Sequence, residues 1–182
     1  MIRLILFFLF FLVQISVFSQ DEKKLALIIG NANYLGDAEL KNPINDASLI
    51  AKTLSEVGFD TIFSTNLKTK RDFINKIKEY GKALVDYDIG LVYYAGHGAQ
   101  VDGENFLLPT NEEFTCKDDI LYYGVKISEV KRYLFSTTNK ANVIILDACR
   151  DNPFENECDS ELSRSFGNSK GNGLAKIIPP SG

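Results

Sequence analysis

The stretch GLVYYAGHG at residues 90–98 decides the fold, because an apolar run leads directly into the only histidine of the chain, His97. A short run that is apolar at successive positions is typical of a strand buried on both faces of a parallel sheet. Further along, NVIILDACR at residues 142–150 repeats this pattern and reaches Cys149. We therefore expect His97 and Cys149 to end two separate buried strands.

Strands and helices alternate along the chain after residue 24. Four apolar runs predict strands at residues 25–29, 59–63, 89–95 and 143–146. Three helices are expected, the first with Asn42 and Pro43 at its N-terminus, the second over residues 69–85 and the third capped by Ser128. A hairpin is expected at Asp102-Gly103. The alternation predicts an α/β fold, with a mostly parallel sheet covered by helices on both faces.

The first twenty residues differ in composition from the rest of the chain. Arg3 precedes an apolar run over residues 4–13, and charged residues begin at Asp21. This order is typical of a secretory signal peptide, and the run is short for a helix that spans a bilayer. We expect export to the periplasm or the cell exterior, with membrane contact through this signal alone. An uncleaved anchor or a buried helix is the alternative.

Composition bounds the domain organisation and the partners. The chain has 182 residues, and its net charge of −4 provides no basic surface for nucleic acid. Residues 155–173 are rich in Ser, Asn, Gly and charged residues, which predicts a mobile loop. The organisation expected is a signal peptide at 1–20, a catalytic domain at 21–158, and a loop at 159–182 that leads towards a further strand.

Three cysteines, Cys116, Cys149 and Cys158, leave at least one without a partner in the same chain. Export would allow a disulfide to persist. A Cys116–Cys158 bridge is conceivable if Cys149 is a nucleophile. We expect isolated thiols instead, because a sequence does not supply the geometry that a bridge requires.

The chemistry is expected beyond the carboxyl ends of the strands, where open α/β sheets form their sites. Cys149 would attack a carbonyl as its thiolate, and His97 would accept the thiol proton and return it to the leaving amine. Gly96 and Gly98 would let a substrate backbone approach closely. The amides of Gly98 and Cys149 are the expected donors to the developing oxyanion.

Two carboxylates are expected beside these residues. Asp147 and Cys149 are two residues apart, so their side chains are expected on the same face of the strand. A carboxylate after an apolar run is costly to bury unless it has a partner. Asp46 lies in the first turns of the first helix, where an acid is also favoured by the helix dipole alone. Together, the two carboxylates could form an anionic pocket for an arginine or lysine side chain.

Four motifs occur in order along the chain: LALIIGNANY at 25–34, LKNPINDA at 40–47, YYAGHG at 93–98 and LDACRDNP at 146–153. They resemble the caspase-like cysteine peptidases of the metacaspase and paracaspase branch, over residues 24–182. The resemblance implies the caspase–haemoglobinase fold, a Cys149–His97 dyad and endopeptidase activity. It also implies maturation by cleavage in the loop after the cysteine strand.

The same resemblance implies cleavage after basic residues, arginine more than lysine, because Asp46 and Asp147 match the acidic pocket positions of that branch. Pocket arginines select aspartate in the caspases that cut after it, and the sequence has no arginine between residues 4 and 70. Arg164 and Lys170, in the expected loop, are candidates for self-processing. The expected partners are a peptide or protein substrate and a small-subunit segment or separate subunit.

Three alternatives remain open. A catalytically silent caspase-like scaffold, or a fragment that needs a separate small subunit, would share the fold. A cysteine phosphatase is disfavoured because the acids in RDNPFE, after Cys149, would repel phosphate. A flavodoxin-like binding domain would share the sheet pattern but would not require the dyad. We expect no metal or other cofactor, with calcium at Asp118-Asp119 as the alternative that many metacaspases suggest.

Overall fold

The structure is a computed structural model that describes residues 21–135 and 138–149, with Cys149 described by its backbone. The expected signal peptide, the loop at 159–182, Cys158, Arg164 and Lys170 lie outside the described residues. The strands are β1 (Lys24–Gly30), β2 (Phe59–Thr65), β3 (Ile89–Val101), β4 (Glu104–Leu107), β5 (Val125–Lys126) and β6 (Ala141–Cys149). The helices are α1 (Pro43–Glu56), α2 (Lys70–Ala83), α3 (Lys117–Tyr123) and α4 (Ile127–Leu134), with 3₁₀ turns at Gly36–Ala38 and Leu84–Asp86.

The described strands form one mixed sheet in the order β2-β1-β3-β4-β5, with β6 also paired to β3. The pairs β1–β2, β1–β3 and β3–β6 are parallel. The pairs β3–β4 and β4–β5 are antiparallel. Positive φ angles at Asp102 (51°) and Gly103 (80°) form the turn between β3 and β4, which confirms the expected hairpin. The predicted α/β class, with a mostly parallel sheet, is therefore confirmed.

Helices cover both faces of the parallel strands. On one face, Ala47 of α1 packs among apolar side chains of β1 and β3, with Ile50 and Leu54 at the edge of that cluster. On the other face, α2 and α4 enclose a larger core that contains the fully buried Phe73 and Leu134. The two faces together explain why residues 25–29 of β1 are apolar at every position and why residues 89–95 of β3 include no charged side chain.

Strand β3 is longer than the sequence indicated. The expected strand stopped near Ala95, with His97 beyond it, whereas β3 continues to Val101. The prediction that His97 ends its strand is therefore wrong. The reason is a change of partner: β3 pairs with β6 as far as His97 and with β4 from Gly98 onward. The glycines around His97 mark the junction between these two ladders, inside one strand.

One helix start also differs from its prediction. Ser128 lies inside α4, and its backbone N–H donates to Glu104 Oε1 at 3.1 Å. The predicted Ser128 cap is therefore wrong, because a carboxylate from β4 takes up the exposed N–H. Asp118 and Asp119, the pair suggested for calcium, lie in the first turn of α3. Among the described residues, no helix is long and apolar enough to cross a membrane.

Candidate active site

The backbones of His97 and Cys149 are in register on neighbouring parallel strands. Cys149 is the last residue of β6, and its Cα pairs with that of His97. Neighbouring strands lie about 4.8 Å apart, so the two positions adjoin at the carboxyl edge of the sheet. The side chain of Cys149 lies outside the described residues. The structure thus brings the two backbone positions together, as the strand pattern predicted.

The His97 imidazole is buried and held by a backbone carbonyl. The residue is 7% exposed, and its ring centroid lies 4.4 Å from that of Tyr34. Nε2 lies 2.7 Å from the carbonyl oxygen of Ala38, in the 3₁₀ turn after β1. Because a carbonyl oxygen can only accept, Nε2 carries the hydrogen of this bond. In the neutral ring Nδ1 then holds the lone pair, so Nδ1 is the atom that can accept a proton.

Burial lowers the pKa of His97, and the hydrogen bond to Ala38 opposes this shift without reversing it. Burial has this direction because it penalises the charged imidazolium. The ring is therefore neutral at neutral pH, which is the state that a general base requires.

The titration of His97 should be directly measurable, because the chain has one histidine. In Cys149→Ala, which removes any thiolate near the ring, we expect the imidazole proton resonances to titrate with a pKa below the ordinary 6.5. Since unfolding restores the ordinary pKa, the unfolded chain binds the proton more readily. Folding stability from this group is then present above pH 6.5 and lost as the pH falls through the folded pKa. An NMR midpoint at or above 6.5 would contradict the burial argument.

The hydroxyl of Tyr34 is inserted into the ladder between β3 and the segment that follows β4. The Leu108 N–H donates to His97 O at 3.1 Å, as in a regular antiparallel pair. The reciprocal bond is replaced, because His97 N–H donates to Tyr34 Oη at 2.8 Å and Tyr34 Oη donates to Leu108 O at 3.2 Å. The Tyr34 hydroxyl thus hydrogen-bonds to the His97 backbone, and the Tyr34 ring contacts the imidazole.

A second tyrosine completes this arrangement from the other side. The Tyr94 hydroxyl donates to His97 O at 2.7 Å and lies 3.1 Å from the Tyr34 hydroxyl. Gly96 makes room for both groups: a Cβ on it would lie 2.7 Å from each hydroxyl oxygen, and its φ is +155°. Glycine is therefore required here by close approach as well as by backbone conformation. Sequence reasoning missed Tyr34, Tyr94 and Ala38, although the first two lie inside the quoted motifs.

The acidic side of the site lies on the sheet face that α1 covers. Asp147 is exposed, its backbone is in register with Ala95, and its Oδ2 accepts a hydrogen bond from Tyr93 Oη at 2.9 Å. Asp46 is exposed in the first turn of α1. Burial raises the pKa of Tyr93, and the Asp147 hydrogen bond and the charges of Asp147 and Asp46 raise it further. Both predicted carboxylates therefore act on one buried phenol.

Cys116 differs from its prediction, because it is disulfide-bonded. The expectation of isolated thiols is wrong for this residue, which is buried near the start of α3. A disulfide at Cys116 could not be predicted from the sequence, since a bridge depends on the distance and direction between the Cα and Cβ atoms of two cysteines.

The acidic pair suggested for calcium has a structural role at its second member. Asp119 Oδ2 accepts from Thr115 N, Thr115 Oγ1 and Cys116 N at 2.9, 2.8 and 3.2 Å. These bonds satisfy donors at the start of α3. Within residues 21–135 and 138–148, no group of three or more His, Cys, Asp or Glu side chains is placed to hold a metal ion.

Known proteins of one class are similar to this chain over most of its length. The family model of the caspase domain, in peptidase family C14, matches residues 23–176. The chain therefore belongs to the caspase-domain family of cysteine peptidases, which are hydrolases. The resemblance inferred from the four motifs is confirmed.

Within that family, the relatives point to the paracaspase type. Mucosa-associated lymphoid tissue lymphoma translocation protein 1 of Homo sapiens is 31% identical over 134 residues, which is 70% of this chain. The homolog from Mus musculus matches equally, and the match spans 15% of each relative. The crystal structure of protein GSU0716 from Geobacter sulfurreducens matches with a TM-score of 0.54 and 21% identity. That match covers 70% of this chain and 50% of the other, and it shows the fold alone.

Proposed function

We propose that this chain is the catalytic part of an endopeptidase that uses a Cys149–His97 dyad and cleaves after basic residues, arginine more than lysine. The observation that carries the proposal is the state of His97. The His97 Nε2–H donates a hydrogen bond to the Ala38 carbonyl, and the His97 backbone is in register with that of Cys149. A buried, neutral imidazole with one fixed nitrogen is suited to take a proton at the other.

In the proposed mechanism, His97 Nδ1 accepts the proton of the Cys149 thiol, and the thiolate attacks the scissile carbonyl. The imidazolium then protonates the leaving amine, and water hydrolyses the acyl-enzyme. The amides of Gly98 and Cys149 would donate to the oxyanion. The ladder supports this role for Gly98. Because the Leu108 N–H donates to His97 O, His97 and Leu108 occupy a hydrogen-bonded position of the ladder. The next pair, Gly98 and Leu107, is then non-bonded, and the Gly98 N–H points away from β4.

The basic specificity is supported by the charges on the α1-covered face. Asp147 lies on the strand that ends at Cys149, and the charges of both Asp46 and Asp147 act on Tyr93. A guanidinium can form paired, charge-assisted hydrogen bonds with a carboxylate, whereas an ammonium is a point charge. This difference favours arginine over lysine at P1. Arg164 and Lys170 are of the same type and remain the proposed processing positions.

Peptide reporters that differ only at P1 test the specificity. For the full-length protein, we expect the highest kcat/KM with arginine, a lower value with lysine, and no detectable cleavage with aspartate. Asp147→Asn should lower kcat/KM for the arginine reporter by about 10–100-fold, because a hydrogen bond to a charged group is lost. A neutral citrulline reporter serves as the control, since the variant should affect it far less. Preferential cleavage after aspartate would refute the pocket assignment.

The second candidate function is that of a silent scaffold, or of a part that needs further chain. The need for further chain is supported by β6, where the side chains of Val143 and Ile145 are 42% and 43% exposed. A small-subunit segment or a separate subunit would cover such side chains, and this is the partner that we propose. Labelling of Cys149 by an arginyl electrophile distinguishes the two candidates, because a scaffold would not label in a His97-dependent way.

Export to the periplasm or the cell exterior is the proposed location. The disulfide at Cys116 supports this proposal, since disulfides persist in oxidising compartments.

A further inference from the structure

Tyr93 is a buried tyrosine with its hydroxyl on a carboxylate of the proposed P1 pocket. The residue is 4% exposed, and its Oη donates to Asp147 Oδ2 at 2.9 Å. Asp147 itself is exposed near the end of β6. The Tyr93 ring is therefore held in the core, while its hydroxyl hydrogen-bonds to a carboxylate that is exposed to solvent.

The direction of this hydrogen bond is determined by the chemistry of its partners. An ionised carboxylate can only accept, so Tyr93 provides the hydrogen. Burial raises the pKa of Tyr93, as do the hydrogen bond to Asp147 and the charges of Asp147 and Asp46. The phenol thus stays protonated at working pH, and the bond to Asp147 Oδ2 persists.

We propose that Tyr93 is a positioning residue that determines the preference for arginine over lysine at P1. The proposal rests on the proposed function. By binding Oδ2, the phenol limits rotation of the Asp147 carboxylate and directs Oδ1 towards the pocket. A planar guanidinium has fixed donor directions and gains from an oriented acceptor, whereas a lysine ammonium on its flexible stem tolerates a rotating one. Loss of the phenol hydroxyl should therefore cost arginine more than lysine.

Tyr93→Phe tests this role, because it keeps the buried ring and removes the hydroxyl. For the full-length protein we expect kcat/KM with the arginine reporter to fall about three- to tenfold, mainly through KM. The lysine reporter should change less, so the arginine-to-lysine ratio should fall.

Tyr87→Phe is the matched control. Tyr87 Oη donates to Asp60 Oδ2, also at 2.9 Å, and Asp60 lies on β2, which β1 and β3 separate from β6. This variant removes the same kind of bond and should leave both reporters unchanged. A second probe is Asp147→Glu, which keeps the charge and moves the carboxylate away from the phenol. It should also lower the arginine-to-lysine ratio, and it serves in place of Tyr93→Phe if that variant does not fold.

The outcomes separate this inference from the proposed function. If the wild-type protein prefers arginine and Tyr93→Phe lowers both reporters equally, or acts through kcat alone, the positioning role is overturned while the pocket survives. If the wild-type protein shows no preference for basic P1 residues, the proposed specificity fails and the role of Tyr93 fails with it. A selective loss for arginine, absent in Tyr87→Phe, supports the inference.

Discussion

Replacing His97 with alanine is expected to lower kcat/KM of the full-length protein by about 10²–10⁴-fold for a P1-arginine peptide, the range that general base catalysis contributes. The loss follows from removal of the proposed base, His97 Nδ1, which the hydrogen bond from Nε2 to the Ala38 carbonyl leaves as the basic nitrogen of the ring. Steady-state kinetics with the arginine reporter provide the measurement.

Free imidazole gives this experiment a readout beyond loss of structure. If His97→Ala removes a base from an intact site, added imidazole should restore part of the rate, and the gain should grow with the fraction of neutral imidazole. Cys149→Ala should show no such rescue, because it lacks the nucleophile. Activity of His97→Ala within a few-fold of wild type would exclude the proposed dyad.

Gly96→Ala is expected to lower the free energy of unfolding by about 2–6 kcal/mol and to abolish most activity. The added Cβ would lie 2.7 Å from the hydroxyl oxygens of both Tyr34 and Tyr94, at a φ of +155°. Crowding in a packed region and a strained backbone each cost about 1–3 kcal/mol. Because both hydroxyls bind the His97 backbone, any shift that relieves the clash also moves the base. Urea denaturation and reporter kinetics measure the two effects.

Gly103→Ala is a control that distinguishes the cost of steric crowding at Gly96 from the cost of backbone strain. Gly103 also has a positive φ, +80°, but a Cβ there would meet no atom within 4 Å among the described residues. We expect the strain cost alone, about 1 kcal/mol, with activity retained. Equal destabilisation by the two variants would indicate that the tyrosine hydroxyls do not constrain Gly96.

Much of the fold could be predicted because its signals are local. Runs of apolar residues identified β1, β3 and β6, and Asp102-Gly103 identified the hairpin. The error at His97 arose because the end of an apolar run was taken as the end of a strand. A change of hydrogen-bonding partner within one strand leaves no such signal in composition. The Ser128 error is similar, since the carboxylate that replaces the cap belongs to Glu104, on another element.

The site could be predicted as far as residue types identify chemistry. His97, Cys149, Asp46 and Asp147 are reactive or charged groups at expected strand or helix ends. The groups that orient them were missed for a physical reason. Tyr34 lies 63 positions from His97, and Tyr93 lies 54 from Asp147. Their roles depend on long-range contacts, and in a sequence they look like ordinary core aromatics.

The Ala38 carbonyl has a consequence for how this domain can evolve and be dissected. Its oxygen belongs to the main chain, so every amino acid at position 38 supplies the same acceptor. Substitution of side chains one by one would therefore detect the proposed dyad of Cys149 and His97 and would not detect this carbonyl. The position of this carbonyl depends on the backbone conformation of the turn after β1 and not on the side chain at residue 38. Substitutions anywhere in the turn that change this conformation would therefore affect the acceptor of His97.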